Sequence, residues 1–170
     1  MTSRGFLLVC ALTCGCNKGS GPPAEPTDLV FQGSADAPAL DALVAIPADP
    51  SAADAPIIDS PPSDTILPAN PPPRFAWHLP AAAPPASVEA GALSGAGYYL
   101  VFSDDDTSQL FRVFTTETSY TPDASAWATI SAAGTWTALT VDVATFADDR
   151  IAPDGGPFVG TPILFCVGQP

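Results

Sequence analysis

The chain has 170 residues, of which 46% are hydrophobic, and its 18 acidic and 5 basic side chains give a formal net charge of -13. A charge of this sign repels a phosphate backbone, which argues against nucleic acid as a ligand. The 21 prolines are unevenly placed, with 13 of them between Pro22 and Pro73. This distribution predicts one folded domain preceded by a long segment without a core of its own.

The first sixteen residues have the three regions of an export signal. Arg4 supplies the positive start, residues 6–12 form an apolar run, and residues 13–15 form a small-residue exit. An apolar run of this length is far short of the roughly 20 residues that cross a bilayer as a helix. We therefore expect the run to direct export and not to span the membrane.

The end of this stretch, LTCGC at residues 12–16, resembles the signal of bacterial lipoproteins, which are cut before a cysteine whose thiol is acylated. Thr13 departs from the usual pattern, in which Leu is commoner three places before the cysteine, and Cys14 is a rival acceptor with a poorer fit. The resemblance implies that residues 1–15 are removed and that Cys16 is lipidated. An ordinary secretory signal is the alternative. Several acyl chains, at about 0.8 kcal/mol per buried methylene, hold a chain firmly on a membrane.

Residues 16–70 are dominated by Pro, Ala, Asp, Ser and Gly. Proline lacks a backbone donor and fixes φ, and here it recurs too often for a long helix or a central strand. The acidic side chains along the segment repel one another, with Lys18 as the lone opposing charge. We expect a disordered, lipid-anchored linker that lifts a domain clear of the lipid. Asn17 replaces the Asp that retains enteric lipoproteins in the inner membrane, which implies the outer membrane.

Three apolar islands interrupt this segment, at residues 29–31, 40–46 and 57–58. One interpretation is a short segment that folds on a partner or packs along the domain. The other is residual hydrophobicity in a loose linker.

From residue 71 onward, short alternating runs bounded by Pro and Gly predict a small all-β domain of about 100 residues, large enough to fold alone. Its first strand is Arg74–Leu79, which puts Phe75 and Trp77 on the core face and His78 on the other. A weaker strand is expected near Val88–Leu93.

The centre of the domain is a predicted hairpin at Gly97–Pro122, with its turn at residues 103–108. Its first arm is apolar on both faces, which predicts an interior strand. Those faces carry Tyr98, Leu100 and Phe102 on one side and Tyr99 and Val101 on the other. The second arm has one face with Arg112, which is expected to see solvent.

A short helix is predicted after the hairpin, at residues 124–134. Thr121 or Asp123 can cap it, and Trp127 and Ile130 share its inner side. Two further strands are expected, Thr135–Phe146 with one wet face and Pro162–Val167 at the end of the domain.

The order of these elements resembles the fibronectin type III and immunoglobulin-like sandwiches. The resemblance covers residues 71–170 and rests on the runs PRFAW, YYLVFSD, LFRVFTT, TSYTPD, LTVDV and ILF. It implies a single small antiparallel β-sandwich with one short helical crossover. The tyrosine that heads the penultimate strand of such domains would fall at Thr137 or Leu139. Trp136 is one residue out of phase, so either a bulge turns it inward or it is exposed.

Few residues offer catalytic or metal chemistry. His78 is the single histidine, and no second histidine or cysteine pair lies at ligand spacing. No Ser or Cys nucleophile has a general base available other than His78. We therefore expect a non-enzymatic protein without a cofactor.

Two groups of residues are candidate ligand sites. Asp104, Asp105 and Asp106 suit Ca²⁺ only weakly, because consecutive carboxylates converge poorly, and a solvated hairpin turn is favoured. The second group, Tyr98, Tyr99, Trp127 and Trp136, is either a sugar-stacking platform or part of the core, with Trp136 the best candidate for exposure.

Cys166 in the last strand is either buried or a reactive or intermolecular site. The function expected is a lipid-anchored envelope protein of the outer membrane. It presents its sandwich for adhesion or for assembly with an envelope protein or polysaccharide. The alternative is a carbohydrate-binding or Ca²⁺-binding accessory module.

Overall fold

The structure, a computed structural model of the chain, describes residues 29–50, 53–80, 86–89, 91–105, 107–132 and 136–168. The predicted export signal and Cys16 lie outside these residues. Strand is the dominant secondary structure of the described chain, with two short helices, which agrees with an all-β type of fold. In chain order the elements are β1 Leu29–Gln32, α1 Ala37–Val44, β2 Ile57–Ser60, β3 Thr65–Leu67, β4 Phe75–His78, β5 Ser87–Glu89, β6 Ala92–Ser103, β7 Gln109–Thr115, β8 Ser119–Tyr120, α2 Ala124–Ser131, β9 Thr137–Ala147, β10 Arg150–Ile151, β11 Phe158–Val159 and β12 Ile163–Val167.

The strands form a large and a small sheet. The large sheet has the order β1-β7-β6-β9-β12-β3, with β5, β10 and β11 added beside β6 and β9. Its inner pairs are antiparallel, and its two outer pairs, β1 with β7 and β3 with β12, are parallel. The small sheet has the order β2-β4-β8.

The predicted hairpin is confirmed as β6 and β7, and β6 is an interior strand with β9 on its other side. A register shift between Phe102 and Ser103 precedes the turn. In that turn the backbone N–H of Thr107 donates to the carbonyl of Asp104 at 3.1 Å. We call this end of the sandwich the turn end.

The main core lies between the two sheets. Alternate residues of β6, β7, β9 and β12 point toward the small sheet, where Phe75 and Trp77 of β4 face them as predicted. Phe75 is fully buried, with its ring centroid 5.2 Å from that of Phe102 and 5.5 Å from that of Phe165. These aromatic contacts join the sheets.

The prediction of a disordered linker at residues 16–70 is wrong for its described part. From Leu29 onward this segment supplies β1, α1, β2 and β3, and the three apolar islands lie in or beside β1, α1 and β2. Proline does not prevent this, because Pro38 lies in the first turn of α1 and the short strands lie at sheet edges. The islands therefore pack along the domain, which agrees with the first of the two interpretations.

Helix α1 builds a second core on the opposite face of the large sheet. Asp36 caps it by accepting a hydrogen bond from the backbone N–H of Ala39 at 3.1 Å. Leu40 and Leu43 of the helix are buried over the large sheet. The residues of the sheet in this core are Leu93, Tyr99, Phe114, Ala144 and Phe146. Part of the face of β7 and β9 that was predicted to be exposed to solvent is therefore buried.

Gly97 of β6 makes this second core possible. A Cβ atom at Gly97 would lie 2.8 Å from Phe146 Cε2 and 3.1 Å from Phe114 Cζ. Since real Cβ atoms do not approach other atoms so closely, only glycine lets both rings cross the strand at this point.

The predicted short helix and the last two predicted strands are confirmed. Helix α2 begins after Asp123, whose carboxylate accepts from the backbone N–H of Ala126 at 2.8 Å, and it buries Trp127 and Ile130. Strands β9 and β12 lie within two residues of their predicted bounds. The single strand expected at Val88–Leu93 is instead β5 and the start of β6, separated by a turn in which Gly91 has a φ of +88°.

Candidate functional site

The tyrosines predicted as ligand-binding residues do not form a shared platform. Tyr98 faces the main core, 5.6 Å from the ring of Trp77, and burial raises its pKa. Tyr99 points to the opposite face, beneath α1. Trp127 is also buried, stacked at 6.2 Å on Phe165. Tyr98 and Tyr99 are separated because consecutive residues of a strand point to opposite faces. All three aromatic residues are therefore parts of the two cores.

Trp136 is exposed, with 40% of its surface accessible, which decides between the two outcomes expected for it. Leu164 pairs with Ala138 and Ile66 pairs with Cys166, and continuing the β9–β12 register by one residue places Trp136 beside Cys166. Cys166 is buried at 2%, between these neighbours. We call Trp136, Ile66 and Leu164 the turn-end patch.

The acidic turn uses its first carboxylate for its own structure. Asp104 Oδ1 accepts a hydrogen bond from the backbone N–H of Ser108 at 2.8 Å, and Thr107 has a φ of +65°. Asp105 is exposed, and Asp106 lies outside the described residues. Within the described ranges, no group of three or more acidic, His or Cys residues is placed to hold a metal ion.

His78 has a partner that sequence reasoning missed. Its Nδ1 lies 2.9 Å from both carboxylate oxygens of Asp59, on the outer face of the small sheet. Both side chains are about half exposed, at 52% and 48%. An exposed pair of this kind contributes little to stability. Asp59 was missed because it lay in the predicted linker.

Asp142 is a second residue that was missed. It lies on the α1 side of β9, between Tyr99 and Val159 in the register, and its Oδ1 is buried without a hydrogen-bond partner among the described residues. Burial raises the pKa of Asp142 to about 6. The alternation of β9 predicted a solvent-exposed face here, and nothing in the pattern signalled the burial of this carboxylate.

Asp142→Asn should stabilise the protein above pH 6 by about 1–2 kcal/mol. Because the pKa in the folded state is raised from 3.8 to about 6, protonation favours the fold. This contribution is complete below about pH 4 and is lost as the pH rises through about 6. The full shift corresponds to about 3 kcal/mol, reduced here because the carboxyl is partly exposed. Urea unfolding at pH 5 and pH 7.5 measures the effect, and exposed Asp41→Asn is the control. An equal gain at both pH values would contradict the assignment.

A groove of about 410 Å³ opens on the side of the sandwich between β2 and the start of β12. Its walls are mainly apolar, with Pro56, Ile57 and Ile58 on one side and Pro162 and Ile163 on the other. Strand β2 is an outer strand of the small sheet in the described part of the chain, and Ile57 is 48% exposed. Extended peptides add to sheets at edges of this kind.

Three exposed aspartates lie within two residues of the groove lining along the chain: Asp54, Asp59 and Asp64. They add negative charge beside an apolar surface. Sequence reasoning did not find this groove, because its β2 wall belongs to the segment that was predicted not to fold.

Neither the family models, the curated proteins nor the solved structures that were compared with the chain contain a match to it. None of the helices in the described ranges is long and apolar enough to cross a membrane.

Proposed function

We propose that the protein is a non-enzymatic lipoprotein of the cell envelope, anchored through Cys16 in the outer membrane. It presents an immunoglobulin-like or fibronectin-like sandwich for adhesion or assembly with an envelope protein. The strand order supports this class of sandwich. Strands β2-β4-β8 correspond to strands A, B and E of those domains, and β7-β6-β9-β12 correspond to C′, C, F and G, with α2 in the E–F connection.

The groove beside β2 is the observation on which the assembly function rests. An apolar groove next to an unpaired strand edge accepts an extended segment, whose backbone pairs with the edge and whose side chains enter the groove. The aspartates at positions 54, 59 and 64 favour a segment with basic residues around an apolar centre. The register shift between Ile58 and Ser60 restricts such pairing to the first part of β2.

Photo-crosslinking in intact cells tests this function. A crosslinking amino acid at Ile57 should give a discrete adduct with one envelope protein, whereas the same amino acid at Val88, exposed to a similar extent at 47% on a different strand, should not. Replacing the three aspartates by asparagine should reduce the adduct at Ile57 several-fold, because the complementary charge is removed. Equal labelling at both positions would contradict docking in the groove.

Lipidation at Cys16 has a separate test. Incorporation of a fatty-acid probe should be lost in Cys16→Ser and retained in Cys14→Ser, because only the first removes the proposed acceptor. Labelling that survives Cys16→Ser would contradict the assignment of the anchor.

The exposure of Trp136 favours carbohydrate binding as a second candidate function. Since Trp77 and Trp127 are buried, quenching of tryptophan fluorescence by envelope polysaccharide would report on Trp136. A platform reduced to one ring predicts weak binding. For a Ca²⁺-binding module, the described residues offer no comparable support, because Asp104 already holds its own turn.

A further inference from the structure

We propose that the turn end of the domain rests on the membrane that holds the anchor, with the turn-end patch at the boundary between headgroups and acyl chains. This inference depends on the proposed lipidation of Cys16. It adds to that proposal the orientation of the domain and a second contact with lipid.

The first step is the length of chain between anchor and fold. Because β1 begins at Leu29, residues 17–28 alone separate the fold from Cys16. At about 3.6 Å per residue, this stretch spans no more than about 45 Å. A domain of this size has a radius of gyration of roughly 14 Å, hence a diameter of roughly 40 Å. The domain therefore stays within about one diameter of the lipid.

The second step is the end at which the chain enters the fold. Strand β1 runs parallel to β7, with Leu29 beside Arg112, and β7 starts from the β6–β7 turn. Both strands therefore run away from the turn end, and the chain from Cys16 enters there. A short connection presents that end to the membrane in preference to the other.

The third step is the chemistry at that end. Trp136 is 40% exposed, Leu164 is 43% exposed and Ile66 is 58% exposed, next to one another on the outer part of the large sheet. A tryptophan ring is apolar with one polar N–H, and such rings concentrate at membrane interfaces. Helix α1 covers the other half of this sheet face, so the patch is the uncovered half.

The charge around the turn-end patch determines which type of lipid surface the patch can contact. Asp104 and Asp105 lie in the adjacent turn, and Asp64 lies beside Leu164, to whose carbonyl its backbone N–H donates at 2.7 Å. These carboxylates disfavour an anionic surface, and salt screens that repulsion. The patch alone is small, so it binds only because the anchor raises its effective concentration at the lipid.

Full-length lipidated protein in phosphatidylcholine vesicles with brominated acyl chains tests the inference. Bromine quenches tryptophan only at short range, and Trp77 and Trp127 are buried within the domain. We expect most of the Trp136 emission to be lost, and the quenched component to be missing in Trp136→Phe. Replacing a large share of the lipid by brominated phosphatidylglycerol should reduce the quenching at low salt.

A matched pair of variants separates the patch from the rest of the surface. Ile66→Asp should abolish most of the quenching, whereas Val88→Asp, exposed to a comparable degree away from the turn end, should leave it unchanged. Unfolding curves check that both variants fold, and Leu164→Asp, which changes the patch but keeps Trp136, serves if Ile66→Asp does not fold. Vesicles that carry the protein without quenching would overturn the membrane contact and leave the lipoprotein proposal intact. Protein that fails to float with the vesicles would overturn both.

Discussion

Leu43→Ala should lower the free energy of unfolding by about 2–4 kcal/mol, because it removes a buried side chain of α1 from the second core. Leu43 is 3% exposed and packs in the cluster that contains Tyr99, Phe114 and Phe146. If residues 16–70 were a disordered linker, the same substitution would change nothing. Urea unfolding followed by circular dichroism measures the difference between the two expectations.

Val44→Ala is the matched control, because Val44 is the next residue of the same helix and is 55% exposed. It should change the free energy of unfolding by less than about 0.5 kcal/mol. Both substitutions place alanine in the same helix, so a much larger loss for Leu43→Ala reports the burial of that side chain. Small and equal effects of both substitutions would contradict the packing of α1 against the sheet.

The central elements of the fold could be predicted from the sequence because their signals are local. Strand β9 alternates along its 11 residues, β6 is a long run that is apolar on both faces, and β4 places its aromatic residues two apart. The cap at Asp123 and the spacing of Trp127 and Ile130 identify α2 in the same way. Periodicity also assigned Phe75 and Trp77 correctly to the core face.

The N-terminal elements could not be predicted, because what stabilises them is distant in the chain. Strand β1 has four residues and pairs with Arg112–Thr115, and β3 has three and pairs with Phe165–Val167. Runs this short carry no periodicity, and their composition is that of a linker. The information lies in the unpaired edges of β7 and β12, which the local pattern does not reveal.

The same missing segment explains the errors about the candidate site. The faces of β7 and β9 that were predicted to see solvent are partly buried, because α1 packs over Phe114, and Asp142 Oδ1 on β9 is buried as well. Asp59, the partner of His78, and the β2 wall of the groove belong to this segment as well. For Trp136, its position in the strand alternation left two outcomes open. It lies directly before the first residue of β9, where it is exposed.

Phe75→Ala should lower the free energy of unfolding by about 3–5 kcal/mol, the largest effect expected of any single substitution considered. The ring is fully buried and lies within 6.4 Å of the rings of Phe102, Trp127 and Phe165, which come from the opposite sheet and from α2. Its removal leaves a cavity at the point where both sheets meet the helix. Chemical unfolding gives the loss of stability, and the emission of Trp127 should shift to the red as water reaches its ring.

Phe31→Ala removes the same ring from the edge of the large sheet and is the control. Phe31 is 40% exposed. Among the aromatic pairs of the described chain it has one contact, with Phe114, whose ring centroid lies 6.3 Å away in an edge-to-face arrangement. Its removal should cost about 1 kcal/mol, since 40% of the side chain is already exposed to water in the folded protein. If Phe31→Ala proved as costly as Phe75→Ala, the two-sheet core would not be the main source of stability. The face beneath β1 and α1 would then have that role.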